Sequence, residues 1–192
     1  YKRTSQGFIL ADSEANALRI GDEPMQYHLK FPEAVVSVAE ERMTGIPQLL
    51  QKRPDIDTII LDDAFQHRSV KAGLNILITD YSKPFFKDHV LPFGTLREGR
   101  GSYKRADIII VSKCPEDLSI EHAQKIESQI NKLPHQNIYF SKINYSTPFS
   151  LLTGSPVNLE GKDLILVCGI ARPAPLVNHL EIIAGKVHPL SY

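Results

Sequence analysis

The chain has no net charge: 22 Lys and Arg stand against 22 Asp and Glu in 192 residues. No overall field favours nucleic acid or an anionic surface, and no nucleic-acid partner is expected. Cysteine is scarce. Cys114 and Cys168 stand far apart and make no metal-ligand pattern, which points to a reduced, cytosolic compartment. No run approaches the roughly 20 apolar residues of a membrane-spanning helix. There is no secretory signal and no initiator Met before Tyr1, and the chain stops abruptly at Leu190-Ser191-Tyr192, so both ends read as cut. The most telling absence is a motif. G-x-x-x-x-G-K followed by Ser or Thr occurs nowhere, so these residues contain no glycine-rich cradle for ATP phosphates.

What is present suits a globular α/β chain. The composition is 42% hydrophobic, enough for a core, and the length allows one domain or one domain plus part of another. Residues 58–61 read as a strand buried on both faces, ending in the paired carboxylates Asp62 and Asp63. Residues 7–10, 34–38, 75–79, 107–112 and 137–141 are further strand candidates. Helices are expected from Asp22, as N-cap, to about Leu29, and from about Gly45 to Lys52 with Pro47 in the first turn. Residues 12–19 read as loop or a frayed turn. Another helix is expected over 119–133, with Ile120, Ala123, Ile126, Ile130 and Leu133 on one apolar face. Residues 83–105 form a long loop dense in Pro and Gly, a length that is usually functional or mobile. Residues 145–162 read as a linker or an extended hairpin. A new strand–loop–helix unit opens at Asp163, with its helix from about Pro173 to Ile183. Strands alternating with helices predict an α/β fold whose mostly parallel sheet is flanked by helices. The expected domains are 1–144, a linker at 145–162, and the start of a second α/β domain at 163–192. If that second domain is cut short, it leaves apolar surface uncovered, and self-association or partial disorder is expected there.

The chemistry-bearing residues gather in a few stretches. Open α/β sheets bind ligands at the carboxyl ends of their strands. Two adjacent carboxylates there suit a hard, hydrated cation such as Mg²⁺ carrying a phosphate. In DDAFQHR (62–68), Gln66 can orient a metal-bound water, and His67 and Arg68 can meet phosphate. Zinc is a poor fit, since no second His stands at ligand spacing. GDEP (21–24) puts Asp22 and Glu23 at a helix start, where the dipole favours their ionised forms; they read as an ordinary cap, a general base or a cation ligand. Arg42 follows a strand, and Arg97 and Glu98 lie in the long loop. Arginines so placed can clamp a transferring phosphoryl group or lie solvated at the surface. Arg19, Arg53 and Arg68 read as surface residues. Lys113, in Ser112-Lys113-Cys114-Pro115, stands where GTPases lay a lysine stem under a purine, but Pro115 replaces the Asp that reads guanine.

In order and spacing these stretches resemble one family, the tetraacyldisaccharide 4′-kinases of lipid A biosynthesis in Gram-negative bacteria. The matching pieces are Arg3 to Gly7-Phe8, GDEP, Arg42 with Gly45, DDAFQHR, Leu91-Pro92 with Gly94-Thr95-Leu96-Arg97-Glu98, RADIIIVSKCP (105–115) and CGIARP (168–173). The resemblance implies a P-loop NTPase-like core, here incomplete. It also implies transfer of the γ-phosphate of Mg²⁺-bound ATP to the 4′-hydroxyl of a lipid A disaccharide 1-phosphate, giving lipid IVA. By that analogy Asp22 is the catalytic base and Arg97 a catalytic residue. Asp63, Asp62, Glu23 and Gln66 hold or orient Mg²⁺. Arg42, His67 and Glu98 contact substrate and phosphate. The family also implies peripheral membrane contact through a segment outside these residues, at the cytoplasmic face of the inner membrane. An upstream phosphate loop and a downstream Asp-His-His stretch are not in this chain, so by itself it is expected to be inactive and soluble. Two other readings remain open. One is a different phosphate-loop ligase or synthetase; the other is a non-catalytic binding module that kept only the sheet.

Overall fold

The computed structural model describes residues 3–170 and 172–190. Tyr1 and Lys2 of the amino-terminal arm, Ala171 of CGIARP, and Ser191-Tyr192 lie outside the described residues. The chain divides into two compact units, Tyr1–Ile143 and Asn144–Tyr192.

In the first unit, strand β1 (Ile9–Leu10) pairs antiparallel with β2 (Ser37–Val38), Ile9 opposite Val38. Between them lie helices α1 (Ala17–Ile20) and α2 (Asp22–Lys30). After β2 comes α3 (Arg42–Lys52). The centre of the unit is a three-stranded parallel sheet in the order β3 (Ile76–Asp80), β4 (Ile108–Ser112), β5 (Asn137–Phe140). Helix α4 (Ile120–Ile130) crosses over from β4 to β5. It starts where a side chain can cap it: the Ser119 hydroxyl accepts from His122 N at 3.2 Å. It stops at Asn131, whose φ of 54° is left-handed.

The core is one face of this sheet. Ile109 and Val111 of β4 are fully buried with Ala106, and Ile130 of α4, Phe85 and Cys114 join them. Alternation along β4 puts Ile109 and Val111 on that face, and the register sets Leu77 and Thr79 of β3 and Ile138 and Phe140 of β5 beside them. Buried polar groups find partners. Thr79 Oγ1 accepts from Phe85 N at 2.9 Å. Gln136, 2% exposed, donates to the carbonyls of Tyr103 and Ala106 and accepts from Leu133 N. Burial pushes the Cys114 thiol's pKa up.

The second unit holds β6 (Leu164–Val167), α5 (Ala174–Ile183) and β7 (Val187–Leu190), the two strands parallel with Leu164 opposite Val187. Residues 148–157 form a small hairpin closed by a Phe149–Pro156 bridge.

The α/β class with parallel strands flanked by helices holds, but several elements differ from the sequence reading. Residues 58–61 are irregular, with Ile60 89% exposed, and pair with no strand among the described residues. A buried parallel strand needs neighbours on its edges as well as apolar residues, and among the described residues no strand pairs with this run. Residues 34–38 supply only the two-residue β2, antiparallel rather than parallel. The expected loop at 12–19 ends in α1, because the Asn16 side chain caps it by accepting from Arg19 N at 3.0 Å. Helix α3 begins three residues before Gly45, so Pro47 sits inside it rather than in its first turn. On α4 the apolar face is narrower than expected: Ile130 is buried, but Ile120, at the first turn, is 77% exposed.

Candidate active site

The GDEP stretch is shaped by its glycine. Gly21 has φ 97°, a conformation L side chains rarely adopt, and it turns the chain sharply from α1 into α2. Gly21, not Asp22, therefore occupies the N-cap position, and its carbonyl accepts from Met25 N at 3.1 Å. Asp22 becomes the first helical residue, with Glu23 beside it in the same exposed turn. Neither carboxylate is used up in capping. Both stand where the amino-terminal dipole of α2 favours negative charge.

Helix α2 also reaches the DDAFQHR stretch. The hydroxyl of Tyr27 donates to Asp62 Oδ2 at 3.2 Å. The Asp62 charge, with burial and then Glu23 adding to it, raises the pKa of Tyr27. Tyr27 lies five residues after Asp22, about 7–8 Å along the helix axis. The contact thus brings Asp62 alongside the helix that carries Asp22 and Glu23.

Asp63 sits in a turn with φ 45°, an uncommon conformation for any residue but glycine. Its Oδ2 accepts from Arg97 Nη1 at 2.7 Å, and both side chains are more than half exposed. Gln66 Nε2 donates to Asp63 O at 3.0 Å, bracing that turn. Arg105 fastens the turn to the long loop. Its guanidinium grips Glu98 at 3.0 and 3.2 Å, donates to Phe65 O at 2.9 Å, and stacks 4.7 Å from the Phe65 ring. An open cleft of about 420 Å³ lies here, lined by Arg68, Glu98, Gly99 and Arg105 among others.

The loop bearing Arg97 is built around one carboxylate. Asp88, 8% exposed, accepts from the amides of His89 and Thr95 and from the Thr95 hydroxyl, with Lys83 Nζ at 3.4 Å. The Thr95 hydroxyl, before the other donors, holds the Asp88 pKa far below the ordinary carboxylate value. Gly94 is required by close approach: a Cβ there would stand 2.2 Å from His89 O and 2.3 Å from Asp88 Oδ1.

Not every expected residue joins this group. Arg42 Nη1 turns back onto its own helix start, donating to Ala39 O at 2.8 Å and Glu40 O at 3.4 Å. Glu98 does reach the cleft, with its carboxylate taken up by Arg105. His67 is half-buried, and its backbone amide closes a turn onto Ala64 O. No three of the His, Cys, Asp and Glu side chains among the described residues converge as a metal cage. Asp62 and Asp63 are adjacent exposed carboxylates, a hard-oxygen donor pair that fits a cation drawing its other ligands from phosphate and water.

The carboxyl rim of the parallel sheet carries a different acid. Asp80, at the end of β3, accepts from Ser82 Oγ at 2.6 Å and from Lys113 Nζ at 3.0 Å. These bonds, the Ser82 hydroxyl first, lower its pKa to about 2. The sequence reading missed Tyr27, Asp80, Asp88 and Arg105 as organising residues. Tyr27, Asp80 and Arg105 are marked by partners 33 to 40 positions away, and Asp88 by the turn that folds Thr95 back onto it.

The family profile described as tetraacyldisaccharide-1-P 4′-kinase matches residues 1–192. The chain belongs to that family. Its similar relatives include the tetraacyldisaccharide 4′-kinase of Bacteroides thetaiotaomicron, 42% identical over 205 residues, covering 100% of this chain and 54% of the relative. The enzyme of that name from Bacteroides fragilis is 40% identical over 201 residues, again across 100% of this chain and 54% of the relative. That from Flavobacterium johnsoniae is 41% identical over 185 residues, covering 94% and 54%. The chain spans about half the length of the curated relatives it matches. No solved structure matches it. Of the stretches that carry the resemblance, the GDEP helix, DDAFQHR and the Leu96–Gly99 loop are the ones that the Tyr27–Asp62, Asp63–Arg97 and Arg105 contacts connect.

Proposed function

We propose that the protein of which this chain is part phosphorylates the 4′-hydroxyl of a tetraacylated glucosamine disaccharide 1-phosphate, with ATP as donor, giving lipid IVA. The observation that supports this reading is the pair of contacts Tyr27–Asp62 and Asp63–Arg97, which tie the helix that starts at GDEP and the loop that carries Arg97 to the two ends of the adjacent carboxylate pair. In the reaction a bond forms between the 4′ oxygen and the γ-phosphorus, and the bond from that phosphorus to the ADP oxygen breaks. Asp22, exposed at the first turn of α2, takes the hydroxyl proton. Arg97 neutralises charge on the phosphoryl group in flight, and Arg42 joins it by swinging away from the Ala39 carbonyl. Asp63 and Asp62 are the residues that would hold Mg²⁺, with Glu23 and Gln66 orienting its waters. When bound, Mg²⁺ supplies charge neutralisation on the phosphate oxygens. Arg97 leaves Asp63 as phosphate arrives, a low-cost exchange for an exposed ion pair. His67 and Glu98 shape the site, Glu98 by fixing Arg105 beside the cleft.

The chain contributes the carboxylate side of a P-loop NTPase-like core, and residues 145–162 link that core to a further α/β unit. The full protein works at the cytoplasmic face of the inner membrane, touching it peripherally, and no nucleic acid is involved. No helix among the described residues is long and apolar enough to cross a membrane. The test is Asp22→Ala in the full-length protein, which abolishes 4′-phosphorylation and leaves ATP binding measurable. Activity within a few-fold of wild type removes Asp22 as base.

A further inference from the structure

The loop that carries Arg97 has a second end, and it is apolar. Phe93 is 89% exposed, Leu91 62% and Val90 41%. One exposed apolar side chain is ordinary, but three on one turn call for a reason. The turn is well held. Phe93 N donates to Val90 O at 3.0 Å, Leu91 N to Leu96 O at 3.1 Å and Leu96 N to His89 O at 3.0 Å. Asp88 anchors its base through the Thr95 and His89 amides. Folding has therefore already ordered a tip that leaves Phe93 and most of Leu91 exposed within the first unit.

The segment around that tip carries more cations than acids, and Lys83, Arg97 and Arg105 are ion-paired, which leaves Lys87, Arg100 and Lys104 as its excess charge. Residues 83–105 hold Lys83, Lys87, Arg97, Arg100, Lys104 and Arg105 against only Asp88 and Glu98. Both acids are taken up inside the loop, Asp88 beside Lys83 and Glu98 by Arg105. Lys87, beside the base of the tip, is exposed, its ammonium 5.8 Å from the Phe86 ring. Phe and Leu at a tip, flanked by Lys and Arg, make a segment suited to an anionic lipid interface.

We infer that residues 90–93 are a wedge that enters the acyl layer of an anionic lipid bilayer and brings the Arg97 end of the loop to an acceptor embedded there. Arg97 follows Phe93 by four residues, so one rigid loop meets the lipid at one end and Asp63 at the other. The role at the acceptor rests on the proposed kinase reading; the wedge itself rests on exposure and charge alone.

The chain has no tryptophan, so Phe93→Trp gives a single indole fluorophore at an exposed position. The variant is titrated with vesicles of equal parts phosphatidylethanolamine and phosphatidylglycerol. The indole emission is expected to shift to the blue and to be quenched by brominated acyl chains. Phe93→Glu, which touches no core residue, lowers co-sedimentation with the same vesicles by about tenfold. Emission that stays at the water-exposed wavelength with saturating vesicles overturns the inference. A blue shift without lipid that grows with protein concentration also overturns it, making the tip a contact between copies. The kinase reading fails separately, through Asp22→Ala in the full-length protein. An unshifted indole beside Asp22-dependent kinase activity removes the wedge alone, and a lipid-dependent shift beside Asp22-independent activity removes the assigned base alone.

Discussion

Replacing Gln136 by Leu tests the account of how the Arg97 loop is tied to the core. Gln136 is 2% exposed and makes three bonds: Nε2 to Ala106 O at 2.7 Å and to Tyr103 O at 2.8 Å, and Oε1 from Leu133 N at 2.9 Å. Leu nearly keeps the volume and makes none of them. The losses are unequal. Tyr103 O keeps a second donor, Ala106 N at 2.9 Å, so it is not orphaned. Ala106 is fully buried, so its carbonyl loses the Gln136 donor with no solvent to replace it, and Leu133 N loses its acceptor. Each group left without a partner costs about 1–3 kcal/mol. The added apolar burial of Leu offsets about half of the total. The net loss should be about 1–3 kcal/mol, or a fall in Tm of about 2–12 °C for a chain of this size. Urea denaturation followed by far-UV circular dichroism measures it. A loss below about 0.5 kcal/mol would mean that the three bonds contribute nothing net, and the account of the loop's anchorage would fail.

Ile109→Ala, at a fully buried position on β4, should cost about 3–4 kcal/mol in the same denaturation assay. Gly94→Ala should push the loop off Asp88, seen as faster amide exchange across residues 88–97 while β3, β4 and β5 stay protected. Asp80 has its folded pKa lowered to about 2, so the stability it contributes is present above the unfolded carboxylate range near pH 4. That stability should fall as pH drops from about 4 to 2, and the fall should shrink in Asp80→Asn, as acid titration monitored by circular dichroism would show. Asp63→Ala breaks only an exposed ion pair and should change stability by less than about 1 kcal/mol. In the full-length protein the same change should reduce phosphoryl transfer by more than about 100-fold, separating a functional carboxylate from a structural one in a steady-state assay.

The family and most of the longer helices could be read from residue order, because they depend on local patterns, while the four-residue α1 and the start of α3 could not. Ser119 before an apolar 3.6-residue period gave α4, and unbroken apolar runs gave β3, β4 and β5. Motif spacing gave the kinase family, and the profile match across the chain agrees. Where the local signal was ambiguous, the reading failed. The run Ile59-Ile60-Leu61 is as apolar as β4, yet among the described residues it finds no ladder partner and lies outside regular structure. A strand is a non-local object: its hydrogen bonds come from residues far away in sequence, and no short window records whether they are present. Asp22 showed the same limit at one residue, since the φ of Gly21 decided which of the two caps the helix.

The sequence by itself determined which acids, arginines and glycines this protein has and the order of its motifs. Only the tertiary structure decided which of them meet. Tyr27 reaches Asp62 across 35 positions, Arg97 reaches Asp63 across 34, and Arg105 reaches Phe65 across 40. Separations of that size are closed by chain packing, whose cost and gain are spread over the whole core and are written in no single stretch.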